Sequence, residues 1–194
     1  RLMDLAVATL GLVVLAPVIL VLALFIKLGS SGPVFYRGER VGLGGGTFFI
    51  LKFRTMIESA EKRGGSSTPK DDPRVTSVGH FLRKWKLDEV PQLINVLRGE
   101  MSLVGPRPQV RWAVDLYTPE ECRLLSVRPG MTDWASIRFR NEAEILLGSD
   151  DPDSQYLEKI APEKIRLGLW YVDNQSILED LRIIFATLRC VIVG

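Results

Sequence analysis

The sequence has 194 residues, of which 46% are hydrophobic and 25% charged, with a formal net charge of +2. That composition supports one packed domain with an appended segment and excludes wholesale disorder. The near-neutral total argues against a general nucleic-acid binder, so no nucleic acid is expected as a partner. Cys122 and Cys190 stand far apart and His80 is the single histidine. A zinc site built from Cys and His, which needs three or four such ligands, is therefore excluded. Ser–His or Cys–His catalysis has one possible base and no supporting signature. If the chain is an enzyme, its chemistry must come from carboxylates and cations, with or without a metal ion. Lys and Arg gather between positions 52 and 140, a distribution that suits anionic substrates such as phosphates.

In chain order, residues 5–26 carry no charge, and only Thr9, Gly11 and Pro17 interrupt the aliphatic side chains. About 20 such residues make a helix of about 30 Å, enough to cross a bilayer. No small-residue cleavage site follows, and Lys27 closes the stretch, so a signal peptide fits poorly. Pro17 removes a backbone hydrogen bond mid-helix and sets a kink. A kinked helix can re-enter on the face it left, and positive charge at both ends (Arg1 and Lys27) suits two cytoplasmic ends. A kinked spanning helix satisfies the same residues.

Gly29 to Pro33 is a turn-rich break, which sets a boundary between a membrane helix at 1–28 and a domain at 29–194. Residues 34–36 and 47–51 read as short strands of a hairpin, joined by Gly42-Leu-Gly-Gly-Gly46. That connection lacks the Lys-Ser/Thr ending of a P-loop and reads as a turn. Helices are predicted at 56–62, 78–86, 90–97, 115–126 and 154–172, with a break at Pro162, and a polar loop at 64–72. Pro91 suits the first turn of the 90–97 helix and Gly99 its end. Residues 176–192 form an amphipathic pattern, suited to packing on the domain or lying in a membrane interface.

Chemistry concentrates in two stretches. In Arg83-Lys-Trp-Lys-Leu-Asp88-Glu89-Val-Pro-Gln-Leu-Ile-Asn95, adjacent carboxylates precede a predicted helix and follow three cations. Helix capping alone accounts for such a pair. In Met101-Ser-Leu-Val-Gly-Pro-Arg107-Pro108, an arginine sits between two prolines, in a stiff segment that can present a guanidinium to phosphate. A rigid turn with a solvated arginine is the plainer alternative.

These stretches, with Lys52-Phe-Arg54-Thr-Met56, Asn95-Val-Leu97 and Arg128-Pro-Gly-Met-Thr132, strongly resemble the monotopic phosphoglycosyl transferases, the bacterial sugar transferases that begin lipid-linked glycan assembly. The resemblance covers positions 1–189 with its motifs in order, including Arg1-Leu-Met-Asp4, Gly32-Pro-Val-Phe35 and Glu39-Arg-Val-Gly42. It implies an α+β, predominantly helical fold: a re-entrant membrane helix kinked at Pro17, a small β-hairpin, and amphipathic interfacial helices around a catalytic domain on the cytoplasmic face of the bacterial inner membrane. It also implies transfer of a phosphosugar from a nucleotide sugar, with UDP the expected carrier, to polyprenyl (undecaprenyl) phosphate in the bilayer. Asp88 matches the nucleophile that forms a covalent phosphosugar–aspartyl intermediate with release of UMP. Glu89 matches its dyad partner, and both carboxylates are expected at Mg²⁺. Arg83 and Arg107 match phosphate-binding arginines, while Lys52, Arg54 and Arg128 are placed near the same site by motif. A homodimer is left open.

Those residue types suit the chemistry. A carboxylate approaching a diphosphate at about 4 Å meets a repulsion of about 4 kcal/mol at an effective dielectric of about 20, which arginines and a divalent cation offset. Two departures from the family pattern stand out: Ala16-Pro17, where relatives often carry Ser before Pro, and Thr132-Asp133-Trp134-Ala135, where many carry Thr-Gly. The second points to Asp133 and its neighbours as influences on donor choice. Asp151-Pro-Asp153 has the spacing of a metal-dependent glycosyltransferase that would release UDP. A non-enzymatic, membrane-anchored scaffold would account for the anchor and cations but not for the Asp88-Glu89 pair.

Overall fold

The computed structural model describes residues 1–60 and 68–193. Its first element, α1 (Leu2–Gly29), is a single helix that continues through Pro17. At 1.5 Å per residue it is about 42 Å long, and by length and composition it could cross a membrane. One face meets the domain: Asp4, Ala8, Leu22 and Ile26 are buried, whereas Leu10, Val13, Val14, Leu20 and Leu24 are each more than half exposed.

Both ends of α1 are fixed to the same domain. Near the N-terminus, the Asp4 carboxylate accepts hydrogen bonds from Ser102 Oγ at 2.9 Å and Leu103 N at 3.0 Å. Arg1 donates to the carbonyl of Val96 at 2.6 Å. At the other end, Leu22 and Ile26 pack with Phe53 and Leu82. Arg54 closes this end, donating from Nη2 to Ser30 O at 2.9 Å and from Nη1 to Ser31 O.

The hairpin forms as expected but with longer strands, β1 (Phe35–Val41) and β2 (Thr47–Phe53), paired antiparallel with Tyr36 opposite Lys52 and Arg40 opposite Phe48. The glycine-rich connection is a single 3₁₀ turn, Leu43–Gly45, whose Gly44 and Gly45 adopt positive φ. The outer edge of β2 is closed by Asn95, fully buried on α3 (Gln92–Arg98). Its Oδ1 accepts from Leu51 N at 2.9 Å, and its Nδ2 donates to Phe49 O at 2.8 Å and Glu100 Oε2 at 2.7 Å. Gly99, at φ 82°, ends α3 in the left-handed region.

Two predicted helices take other forms. Over the described part of 56–62, Met56 instead pairs with Val75 across an antiparallel bridge, and Ser59 has φ 59°; residues 61–62, and 64–67 of the predicted polar loop, lie outside the described residues. The 115–126 helix is replaced by a short α4 (Arg111–Val114) and a 3₁₀ segment, Glu121–Ser126. Pro119 is the cause, since it has no N–H and disfavours helical geometry at Thr118. Thr118 and Glu121 then cap each other, Thr118 N donating to Glu121 Oε2 at 2.7 Å and Glu121 N to Thr118 Oγ1 at 3.3 Å. The 78–86 helix appears as α2 (Ser77–Lys84), with Thr76 as its N-cap.

A parallel pair, β3 (Ser102–Val104) with β4 (Gly130–Thr132), has no counterpart among the predicted elements. The backbones around Gly105 and Gly130 approach so closely that a Cβ on Gly130 would lie 2.1 Å from Gly105 N. The pair holds the Arg107 segment against the strand that leads to Asp133. The chain continues through α5 (Trp134–Arg138), α6 (Glu142–Ile145), α7 (Pro152–Lys159), α8 (Ala161–Asn174) and α9 (Ile177–Val193). The break near Pro162 separates α7 from α8, as expected. The main core joins Ala8 of α1, Ile50 of β2, Val96 of α3, Met101, Tyr171 of α8 and Ile183 of α9. The opposite face of α9 exposes Ile177, Phe185 and Ile192.

Replacing Asn95 by Ala would leave Leu51 N–H and Phe49 C=O without their buried partner. Unfolding in urea, followed by circular dichroism in detergent, should show a loss of about 2–4 kcal/mol. A change below about 0.5 kcal/mol would show that water replaces the amide.

Candidate active site

The site forms where α2 turns into α3. Trp85 ends α2, and Lys86 follows at φ 55°, a left-handed conformation that costs a non-glycine residue about 1 kcal/mol. This reversal tightens Leu87–Glu89 into a 3₁₀ turn, with Glu89 N donating to Lys86 O and Val90 N to Leu87 O, both at 3.3 Å. The two carboxylates therefore sit on a short rigid bridge between helices.

Glu89 is fixed by two cations from different elements. Its Oε1 accepts from Lys52 Nζ of β2 at 2.9 Å and from Arg107 Nη2 at 2.6 Å. Burial would raise the Glu89 carboxyl, but the Arg107 and Lys52 charges outweigh it and hold the group well below the usual carboxylate range. Arg107 is itself oriented by the carbonyl of Met131, beside Asp133, and by Gln92 Oε1 at 3.4 Å. The stiff Pro106-Arg-Pro108 segment thus presents its guanidinium to a carboxylate, with its two Nη groups directed to different partners.

Asp88 differs from its neighbour. Only 8% of it is exposed, yet its carboxylate accepts no hydrogen bond among the described residues. Burial pushes this carboxyl up, the adjacent Glu89 charge adds to the rise, and Lys52, Arg83 and Lys86 oppose it. Arg83 Nε donates to Thr55 Oγ1 at 2.9 Å, which aims the side chain. Burial lowers the Arg83 guanidinium, against the pull of Asp88 and Asp72.

Of the site residues expected from sequence, Lys52, Glu89 and Arg107 are in direct contact, and Asp88 and Arg83 lie within their electrostatic field. Arg54 and Arg128 form no ion pair or hydrogen bond with this group among the described residues. Arg54 holds the exit of α1, and Arg128 Nε donates to Gly99 O at the end of α3 at 3.0 Å. Asp151, part of the Asp-x-Asp triplet, caps α7, accepting from Ser154 N at 3.1 Å and Ser154 Oγ at 2.6 Å.

The sequence reading missed Arg40. It shares the β1–β2 face with Tyr36 and Lys52, and Val41 N donates to Gln109 O at 2.9 Å, two residues beyond Arg107. Burial lowers the Arg40 guanidinium, the neighbouring Tyr36 opposes that, and the Arg107 charge adds to the lowering. The alternation of positions 36, 40 and 52 could have revealed this only once the strand register was known. Lys52, Arg83, Lys86, Arg107 and Arg40 outnumber Asp88 and Glu89, and that surplus positive charge suits a phosphorylated ligand.

Glu89 Oε2 and the Asp88 carboxylate are left for a cation. Mg²⁺ commonly takes one or two protein carboxylates and fills its shell with substrate phosphates and water. A pair without a third acidic ligand, as found among the described residues, fits that pattern.

A surplus of cations around a carboxylate that accepts no hydrogen bond among the described residues, beside a long apolar helix, suits anionic substrates. The sequence comparisons name the class: a family model described as bacterial sugar transferase matches residues 1–194, and the chain belongs to that family. It is similar to the sugar transferase EpsL of Bacillus subtilis, 39% identical over 194 residues, covering 100% of this chain and 87% of that protein. It is 37% identical over 195 residues to the UDP-N-acetylgalactosamine-undecaprenyl-phosphate N-acetylgalactosaminephosphotransferase of Aeromonas hydrophila, covering 99% of this chain and 43% of that one. The UDP-glucose:undecaprenyl-phosphate glucose-1-phosphate transferase of Escherichia coli is 37% identical over 193 residues, 95% of this chain and 38% of that one.

Because the folded state raises the Asp88 carboxyl, ionising it weakens the native state as pH climbs above the ordinary aspartate value. Chelator-treated Asp88→Asn protein should melt at or above the wild-type temperature at pH 7. The difference should vanish below about pH 3.9, where the aspartate is protonated folded or unfolded. Differential scanning calorimetry across that range checks this, and a variant less stable at pH 7 would contradict it.

Proposed function

We propose that the chain transfers a phosphosugar from a UDP-sugar to a polyprenyl phosphate through a covalent aspartyl intermediate. The observation that carries this reading is the contrast between the carboxylates: Glu89 is pinned by Lys52 and Arg107, while Asp88 beside it is buried and accepts no hydrogen bond among the described residues. The immobile carboxylate organises cations; the other keeps its lone pairs for attack.

In this mechanism an Asp88 oxygen attacks the sugar-bearing phosphorus of the donor. The bond from that phosphorus to the bridging oxygen breaks, and its electron pair leaves with UMP. An oxygen of polyprenyl phosphate then attacks the same phosphorus, releasing Asp88 as a carboxylate and forming a polyprenyl diphosphosugar. Arg107, Lys52 and Arg40 supply positive charge along the diphosphate, and Arg83 favours the ionised form of Asp88. Mg²⁺ bound by Asp88 and Glu89 would neutralise phosphate charge at the same place. The relatives named for UDP-sugar and undecaprenyl-phosphate substrates support this assignment.

The acceptor keeps its phosphate at headgroup level, so the site must stand at the interface, and we place it on the cytoplasmic face. Support for re-entry comes from the two anchors of α1. Asp4 at one end and Gly29–Ser31 at the other dock on one domain, which occupies only one side of a bilayer. The outward apolar face of α9 suits contact with the same surface.

Incubation with UDP-sugars, Mg²⁺ and undecaprenyl phosphate should release UMP, and Asp88→Asn should lower that rate at least about a thousandfold while the protein stays membrane-bound. UDP as the nucleotide product would overturn the mechanism in favour of simple glycosyl transfer. For topology, Cys122 and Cys190 are first replaced, and single cysteines are placed at Leu2 and Leu28. Both should react with an impermeant maleimide only from the cytoplasmic side; labelling of position 2 from outside would rule out re-entry.

A further inference from the structure

The Arg107 guanidinium has a second neighbourhood. Behind it lies a cavity of about 240 Å³, walled by the loop after α4, the start of α5, and helices α7 and α8. Its walls are mainly apolar, and its polar groups come from Arg107, Gln109, Tyr117, Asp133, Tyr156 and Lys164, with Glu121, which accepts from Thr118 N, at its edge. The geometry points to this cavity as the site that holds and selects the sugar ring of the donor, an inference that rests on the phosphosugar-transfer reading above.

Charge decides which part of a donor the cavity can take. Lys164 is paired with Glu142 and lies 5.0 Å over the Tyr156 ring, so its ammonium is already neutralised. Arg107 is turned to Glu89. Asp133, 4% exposed, adds a negative charge. Phosphates are therefore favoured on the Lys52 and Arg40 side of Arg107, and an uncharged group on the cavity side.

The polar groups match a polyol. Asp133 uses Oδ1 to cap α5, accepting from Ser136 N at 2.6 Å, and its Oδ2 has no partner among the described residues. The Tyr156 hydroxyl donates weakly to Gln109 Oε1 at 3.5 Å. The Tyr117 hydroxyl makes no hydrogen bond among the described residues. A free carboxylate oxygen, an amide and two phenols on apolar walls can meet both the hydroxyl edges and the C–H faces of a pyranose.

Position separates the sugar from the nucleoside, which is also uncharged. Arg107 both lines the cavity and bonds Glu89, the neighbour of the nucleophile. The sugar is joined through one oxygen to the phosphorus that Asp88 attacks, whereas the nucleoside lies one phosphate further away.

The test uses dissociation constants for UDP-glucose, UDP-galactose, UDP-N-acetylgalactosamine and UDP, measured in an Asp88→Asn background so that no turnover intervenes. Tyr156→Phe, Tyr117→Phe and Asp133→Asn are then added singly; phenylalanine keeps each ring, and asparagine remains a good helix cap. At least one should change the affinity ratio between two of the sugars about tenfold, with UDP affinity unchanged within about twofold. Equal weakening of UDP and the UDP-sugars would assign the cavity to the nucleoside and overturn the proposal. Ratios unchanged within about twofold in all three variants would reduce the cavity to a packing gap. Failure of wild-type protein to release UMP tells against the reaction; UMP release with unaltered sugar ratios tells against the sugar site alone.

Discussion

Glu89 is the residue on which the arrangement depends. A partly buried carboxylate is tolerable only where positive charge and hydrogen bonds replace its water. Here they come from Lys52 on the hairpin and Arg107 on the segment after β3. The hairpin, the α2–α3 junction and the β3–β4 pair must all be in place before Glu89 can be satisfied. The same contacts leave Asp88 next to a surplus of cations, with no hydrogen bond of its own among the described residues. Folding and site assembly are therefore coupled through one carboxylate.

The supports of that cluster are mostly backbone hydrogen bonds made by buried polar side chains. Asn95 closes the edge of the strand that carries Lys52, and Asp4 ties α1 to Ser102 and Leu103 of β3, just before Pro106 begins the Arg107 segment. The apolar helix thus takes part in positioning the site. One face of it packs on the domain along its length, and leucines and valines on its other face are exposed.

Arg107 divides the site into two regions of different character. On one side lie carboxylates and cations suited to phosphate; on the other lies a mainly apolar cavity whose one further cation, Lys164, is already paired with Glu142. Apart from the Arg107 segment, the cavity walls come from α4 and the loop and 3₁₀ segment after it and from α5, α7 and α8, elements outside the Lys52–Glu89–Arg107 ion-pair cluster. Substrate preference could then change through the cavity while the reacting groups stay fixed.

The sequence alone determined the long apolar helix, because a charge-free stretch of that length has few other uses, and the hairpin, because its glycine turn and strand-forming residues are local signals. Asp88, Glu89 and Arg107 stood out through adjacency and flanking prolines, and the family resemblance gave them roles. Only the tertiary structure could decide that Lys52 and Arg107 share one oxygen of Glu89, that Arg40 joins them, and that Arg54 and Arg128 bond to carbonyls elsewhere. Those facts depend on strand register and on the parallel β3–β4 contact between segments 28 residues apart, from Ser102 to Gly130. The helix expected over 115–126 failed for the opposite reason: Pro119, a local signal, outweighed the apolar periodicity around it. Local chemistry fixed which residues could act, and long-range packing fixed which of them meet.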